Sequence, residues 1–381
     1  MALDERAAWL ALALTPGIGS ARLDTLLHHF GSASGALSAP FAFLRAVPGI
    51  SAAAATAITA AADRGVDQVL RSADALGARW LIPTDPEFPA ICRLIPDRPT
   101  LLFVQGDLTL LERPAVAIVG SRDHTEYGGR IARQLAAGAA ARGLAVVSGM
   151  ARGLDAVAHT AALDVDGATI GVLGNGLGVV YPAANRRLYQ RVAASGLLLT
   201  EFPPGERPAL GSFPRRNRLI SALARVTVVV EAAEGSGALI TVTSALSQGK
   251  DVMAVPGPID SPTSVGTNRL IRDGAEPLLC IEDLLAHYPE ARPLDPAAAT
   301  RLDARTRAPA APPDLSPAER RLFDLLLDGN AGADQLLTRS NLPAPEALVA
   351  LSGLELRGLV AQDGGLVRLL PAAQVDAEGQ R

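Results

Sequence analysis

The run Phe213-Pro-Arg-Arg-Asn-Arg218 gathers the groups that grip a polyanion: three arginines within four positions, beside an aromatic ring and an amide. The chain has 35 basic residues, and Lys250 is the only lysine among them. Positive charge is therefore carried almost wholly by guanidinium groups, whose planar fork can hold a phosphate through two hydrogen bonds. An arginine-rich loop with a phenylalanine is suited to neutralise a phosphate backbone while stacking a base. Taken alone, such a run is more often a solvated surface segment, so its neighbours decide its meaning.

Three further segments combine small residues with polar ones. The apolar run Ala115–Val119 ends in Gly120-Ser121-Arg122, which offers close backbone approach, a hydroxyl and a charge. It is not a dinucleotide fingerprint, because G-x-G-x-x-G is missing and no ribose-binding carboxylate stands where one is needed. A second run leads into Val147-Ser148-Gly149-Met150-Ala151-Arg152-Gly153-Leu154-Asp155, where Asp155 is expected to cap a helix carrying His159. A lone histidine on an alanine-rich helix is more often structural than catalytic, and no Ser or Cys stands at a spacing that links to it. A third run, Val226–Val230, is followed by Glu231 and then by Gly235-Ser236-Gly237, a glycine-rich helix entry of the kind that binds anions. It lacks the lysine of a P-loop, which counts against nucleotide hydrolysis. Val255-Pro256-Gly257 and Ser264-Val-Gly266-Thr267-Asn268 add donors beyond the next strand.

These segments can meet only if the apolar runs form one sheet. Six such runs alternate with helical stretches between residues 114 and 288, the pattern of an α/β Rossmann-like, doubly wound parallel sheet. In such sheets ligands sit beyond the carboxyl ends of the strands. Residues 1–80 read as short helices with two glycine turns, Leu14-Thr-Pro-Gly-Ile-Gly-Ser and Val47-Pro-Gly-Ile-Ser51, in a helix-hairpin-helix pattern. Residues 81–113 are proline-rich and read as a connector packing on the core, with a short strand at Leu101–Gln105. Residues 289–314 form a Pro/Ala-rich linker, residues 315–370 a module of three helices and a hairpin that makes a winged helix, and residues 371–381 a disordered tail. Ser316 and Glu319 are placed to make a capping box at the start of that module.

Composition narrows the function. Of 381 residues, 49% are hydrophobic, enough for sizeable cores, and only 4% are aromatic, so Ala, Leu, Val and Ile must build them. A net charge of −4 argues against a protein that coats nucleic acid everywhere, yet permits a local basic groove. Cys92 and Cys280 make no disulfide framework and no zinc cluster, and read as buried thiols of a reduced compartment. No signal peptide or membrane span is evident, so the expectation is a cytoplasmic protein without membrane partners, cofactor or metal.

Together these motifs resemble the DNA-processing protein A family (DprA, also called Smf). The residues that carry the resemblance are Ala117-Ile-Val-Gly-Ser-Arg122, Ser148-Gly-Met-Ala-Arg-Gly-Leu-Asp155 with Ala158-His159, Gly174-Asn-Gly-Leu with Tyr181-Pro182, Thr200-Glu201, Phe213–Arg218, Glu231 with Ser236-Gly-Ala-Leu-Ile-Thr241, Ala254-Val-Pro-Gly257, and Gly266-Thr-Asn with Gly274-Ala275. The resemblance implies a Rossmann-like domain flanked by a helix-hairpin-helix (SAM-like) domain and a winged helix. It implies a homodimer, joined through the Rossmann-like domain, that binds single-stranded DNA, helps load RecA recombinase in natural transformation, and is not an enzyme. The implied DNA contacts are Gly120, Ser121, Arg122, Phe213, Arg215, Asn217 and Arg218; the convergence of loops at the sheet edge adds Ser148, Gly149 and Arg152 and the Gly235, Ser236 and Gly237 loop as the expected further walls of the groove. Leu210 stands where some members carry a basic residue, which leaves Arg207 or Arg215 to substitute. Ala238 replaces a serine common in the family.

A second reading has a different chemistry. The same fold resembles nucleoside-monophosphate phosphoribohydrolases of the lysine decarboxylase-like group, whose loop reads Gly-Gly-x-Gly-Thr-x-x-Glu. Aligned by the glycines, Thr241 stands where their glutamate does and cannot act as a carboxylate base. A sensor that holds a nucleotide without cleaving it is a third alternative.

Overall fold

The apolar runs do form one sheet. The computed structural model describes residues 4–294, 312, 314–327, 331–363 and 366–370. Its strands are β1 (Arg79–Leu81), β2 (Leu102–Gly106), β3 (Ala115–Val119), β4 (Ala145–Ser148), β5 (Thr169–Val172), β6 (Leu197–Thr200), β7 (Val226–Val229), β8 (Asp251–Ala254) and β9 (Glu276–Pro277). They lie in the order β1-β2-β6-β5-β4-β3-β7-β8-β9. Every pair from β6 to β9 is parallel, while β2 joins β6 and β1 joins β2 antiparallel. Strands β3 to β7 are buried along their whole length, which explains why Val, Ile, Leu and Ala dominate them, with Ser148, Thr169, Gly171, Thr200 and Thr227 the exceptions. The order reverses at β3, which has β4 on one side and β7 on the other. Loops leaving those strands diverge, and a crevice opens between them.

Six helices precede the sheet: α1 (Glu5–Ala13), α2 (Ser20–Phe30), α3 (Ala33–Leu37), α4 (Phe41–Ala46), α5 (Ala52–Arg64) and α6 (Asp67–Ala75). Their core residues, including Leu10, Leu23, Leu44 and Ile58, are continuous with Phe103, Leu173 and Leu198 of the sheet. Trp9 Nε1 donates to Thr100 O at 2.9 Å across this join. The two glycine turns face each other. Arg22 Nη1 donates to Gly17 O at 2.6 Å and Arg22 Nε to Gly49 O at 3.1 Å. Arg22 thus ties the turns together, Arg45 braces the second of them by donating from Nη1 to Ile50 O, and Ser51 caps α5 through Ala54 N at 3.1 Å.

Two layers of helices cover the sheet: α7 (Glu126–Ala141), α8 (Leu154–Asp164) and α13 (Ile281–Leu285) on one face, and α10 (Ser212–Leu223) and α11 (Ala238–Ser247) on the other, with α9 (Arg186–Ser195) and α12 (Val265–Arg272) towards the two sides. Alanines of α7 and α8, among them Ala132, Ala136, Ala158 and Ala162, let these helices approach the strands closely. Cys92 is buried and its thiol is pushed up to about 12 by burial, whereas Cys280, expected inside, is exposed just before α13. No described helix is long and apolar enough to cross a membrane.

The C-terminal module is a winged helix of α14 (Pro317–Leu327), α15 (Ala333–Ser340) and α16 (Ala344–Leu356) with the hairpin β11 (Val360–Asp363) and β12 (Leu366–Leu369), joined by β10 (Ala331–Gly332). The expected capping box is present: Glu319 N donates to Ser316 Oγ at 3.2 Å and Ser316 N to Glu319 Oε2 at 2.8 Å. Most of the linker and all of the tail fall outside the described residues.

Candidate nucleic-acid interface

The run Phe213–Arg218, expected as a loop, is the start of a helix. Gly211 turns the chain with φ 87°, and α10 begins at the next residue. Pro214 is accommodated because the first turn of a helix has no backbone acceptor for its missing N–H. At about 100° per residue the helix then sends the neighbouring arginines in different directions. Phe213, Arg216, Asn217 and Ile220 share the face turned to the crevice. Arg215 is exposed and lies 3.6 Å from Glu201, its guanidinium over the Phe202 ring at 5.5 Å. Arg218 faces away from the crevice. Its Nη2 grips both oxygens of Glu201 at 2.7 and 2.9 Å, and its Nε reaches Asp97 at 3.2 Å. Arg218 therefore fastens α10 to β6 and the connector and has no fork left for a phosphate.

Arg216, not singled out beforehand, is the structural centre of the site. It is buried, and its Nη1 donates to Gly149 O and to Val172 O at the ends of β4 and β5. Its Nε donates to Asn217 Oδ1 at 3.1 Å, and Asn217 Nδ2 donates to Gly237 O at 3.3 Å. One guanidinium and one amide thus bind three loops to one helix. Burial pushes the Arg216 pKa down to about 10, with Asp155 opposing, so the group is still charged at neutral pH.

The loop after β3 is held by the β7 loop, since Ser121 N donates to Glu231 O at 2.8 Å. Ser121 Oγ closes a turn on Asp123, donating to its carbonyl at 2.8 Å. Arg122 is exposed, and its guanidinium stands 5.8 Å from the Phe213 ring centre. In the β4 loop, Gly149 has no room for a side chain, because a Cβ would meet the Arg216 guanidinium carbon at 2.6 Å. Ser148 lies beneath this loop. It is fully buried and donates to Ile118 O at 2.7 Å, so it ties β4 to β3 and cannot be reached by a ligand. Arg152 is exposed and paired with Asp123 at 3.0 Å. Asp155, expected to cap α8, reaches back instead. It accepts from Gly149 N at 3.0 Å and Ala151 N at 3.4 Å. Burial holds its carboxyl above the usual range, with the Arg216 charge opposing. Gly235, with φ 74°, and Ser236 turn the chain into α11 at Gly237, on the far wall. The Asn268 amide clamps Gly257 from both sides at 2.9 and 3.1 Å, so this loop is a brace behind the crevice.

Two adjoining cavities result. The larger, about 890 Å³, is lined by the Gly120–Arg122 loop, Arg207, Leu210, Phe213, Asn217 and the Ser236–Thr241 segment. The smaller, about 310 Å³, lies over Gly149, Arg152, Gly174 and Pro182. Arg122, Tyr181, Phe213 and Arg216 line both, so the Phe213 ring stands between them. Tyr181 is half-exposed, and its ring centre lies 5.4 Å from that of Phe213 at an interplanar angle of 33°. Gly174 makes room for the phenylalanine, since a Cβ there would lie 2.6 Å from Cδ1. Leu210 is fully exposed at the rim, and Arg207 lines the same cavity whereas Arg215 does not.

The remaining acidic and basic candidates are structural. Glu231 is buried, accepts from Thr125 N at 2.9 Å and Thr125 Oγ1 at 2.5 Å, and so anchors the start of α7. Thr241 is buried in the cavity wall, and among the described residues Asp155 is the only carboxylate lining either cavity. His159 is fully buried with Nδ1 2.7 Å from Thr169 Oγ1. Burial, aided by the Arg216 charge, pushes its pKa down to about 3, so the ring is neutral. A depressed histidine contributes stability that is complete above the unfolded value of about 6.5 and is lost as pH falls towards 3, at up to about 1.4 kcal/mol per pH unit. His159→Gln should flatten the fall in urea midpoint between pH 6.5 and 4.5; equal slopes in both proteins would show that His159 does not govern it. Asp155 titrates with the opposite sign in both proteins and drops out of that comparison.

The sequence profile of DNA recombination-mediator protein A matches residues 79–289, and that of the DprA winged helix domain matches residues 306–365. Protein Smf of Synechocystis is 33% identical, over 96% of this chain and 99% of its own length. The structure of DNA processing protein A from Streptococcus pneumoniae superposes with a TM-score of 0.65 at 32% identity, covering 75% of this chain and 98% of that one. DNA processing protein A from Helicobacter pylori, whose structure is described in terms of a single-stranded DNA binding mode, gives a TM-score of 0.51 at 32% identity over 55% of this chain and 94% of that one.

Proposed function

This chain belongs to the DNA recombination-mediator protein A family, and from that premise we propose that it binds single-stranded DNA in the crevice around Phe213. The observation that carries this reading is a half-buried ring between two adjoining cavities, with Arg122 and Arg207 exposed on the walls. An exposed guanidinium neutralises phosphate, and an aromatic ring accepts any base, so binding tolerates all sequences. The lining supports holding a nucleic acid rather than cleaving it, because Asp155 is committed to two backbone N–H groups and Thr241 stands where a catalytic glutamate would be required. Gly120, Gly149, Gly235, Ser236 and Gly237 shape the walls. Arg152 and Arg215 are outer contacts.

The wider role proposed for the protein is loading of RecA recombinase on incoming DNA in natural transformation, by a cytoplasmic homodimer joined through the Rossmann-like domain. For the dimer, support comes from Leu279, which is exposed beyond β9 next to the buried Leu278.

Titration of fluorescent oligonucleotides at several salt concentrations tests the binding reading. Single strands should bind in preference to duplex, with affinity falling steeply as salt rises, because each contacted phosphate releases counterions. Affinity indifferent to salt, or a preference for duplex, would overturn it.

A further inference from the structure

The crevice does not end at the smaller cavity. Tyr181 stands at its mouth, and the chain runs from there through Pro182 into α9. The first helical residues, Arg186 and Arg187, are exposed, and their side chains have no ion-pair or hydrogen-bond partner among the described residues. Arg191 on the same helix, in contrast, is paired with Asp164 at 2.7 Å. The start of α9 is fixed against the β4 loop: Asn185 Nδ2 donates to Met150 O at 2.9 Å and to Ala151 O at 3.1 Å. Arg152 follows Ala151 and Arg186 follows Asn185, so the arginines flank one hydrogen-bonded junction. Met150 holds a left-handed conformation, φ 56°, at this junction, a geometry rare for a non-glycine residue. Asp123, paired with Arg152, offsets part of the charge, and the first turn of α9 contains no acid.

We propose that the single strand leaves the Phe213 crevice over Tyr181 and continues across Arg152 to Arg186 and Arg187, which hold its outer phosphates. The strip starts in the smaller cavity at Arg152 and Tyr181, is joined to α9 through Asn185, is built of arginine, and has an aromatic ring at the turning point. Those are the elements of a single-strand track: cations spaced along a backbone with a stacking platform between them. Fixed by Asn185, the track makes the footprint longer than the crevice. This inference rests on the reading of the crevice as a single-strand site.

The test compares wild type with Arg186→Ala/Arg187→Ala on a short oligothymidine of about four nucleotides, which the crevice alone can hold, and on one of about 15 nucleotides. The double variant should bind the short strand as wild type does and the long strand about 3- to 10-fold more weakly. Its salt slope on the long strand should fall by about 1.4, as expected for two lost phosphate contacts. Arg186→Lys/Arg187→Lys should keep most of that slope. Unchanged long-strand affinity and slope would overturn the track, as would an equal loss on both lengths. If wild type bound neither strand, the crevice reading itself would fail, which is a separate outcome.

Discussion

Phe213→Ala is expected to weaken single-strand binding by about 1–3 kcal/mol, the usual worth of one base stacked on an aromatic ring, with no preference among base sequences. The ring is set by contacts a smaller side chain would lose: Gly174 beneath it, Tyr181 beside it, and the Arg122 and Arg216 guanidinium groups 5.8 and 5.9 Å from its centre. It is only partly buried, so the fold should survive, and the circular dichroism of the variant should match wild type. Phe213→Trp should retain binding. Adding Arg122→Ala should lower affinity again and reduce the salt slope, because it removes a phosphate contact rather than a stack. Fluorescence titration at two salt concentrations separates these effects. Normal binding by Phe213→Ala would mean the strand lies elsewhere.

Arg216→Met should damage stability and binding together. The arginine is buried, and its loss leaves the carbonyls of Gly149 and Val172 and the Asn217 amide oxygen without this donor, and Asp155 without a neighbouring positive charge. Each buried acceptor stranded this way costs about 1–3 kcal/mol, and relaxation of the loops recovers part of that, so a total near 3 kcal/mol is expected in urea unfolding. Affinity should fall even under conditions where the variant is fully folded, since the β4 and β5 loops and Gly237 are no longer fixed relative to Phe213. Arg216→Lys restores the charge but not the planar fork, and should recover only part of either loss. A variant as stable as wild type would show that Arg216 is not the clamp.

Much of this was legible in the sequence. The buried strands announce themselves as mainly apolar runs, and the glycine-bearing loops after β3, β4 and β7 do meet at the point where strand order reverses. The capping box at Ser316 was equally plain, because it depends on residues three apart. Contacts set by distant partners were not. The Phe213–Arg218 run looked like a loop because it contains a proline and follows a glycine, both of which a helix start accommodates. Arg218 looked available because its partners, Glu201 and Asp97, are remote in sequence. Arg216 could have been found by helix phase alone, lying three residues after Phe213 and four before Ile220 on the same face. Ser148 could not, since only the neighbouring strand supplies the carbonyl of Ile118 that takes its hydroxyl.

Photocrosslinking with a 4-thiothymidine oligonucleotide, followed by mass spectrometry of the joined peptides, tests the central claim most directly. Crosslinks should fall on the peptides containing Phe213, Tyr181 and Arg122, and at a fixed sub-saturating protein concentration should be weaker on them in Phe213→Ala. Crosslinks confined to the glycine hairpins at Gly17 and Gly49 or to the winged helix, with none around Phe213, would contradict the account.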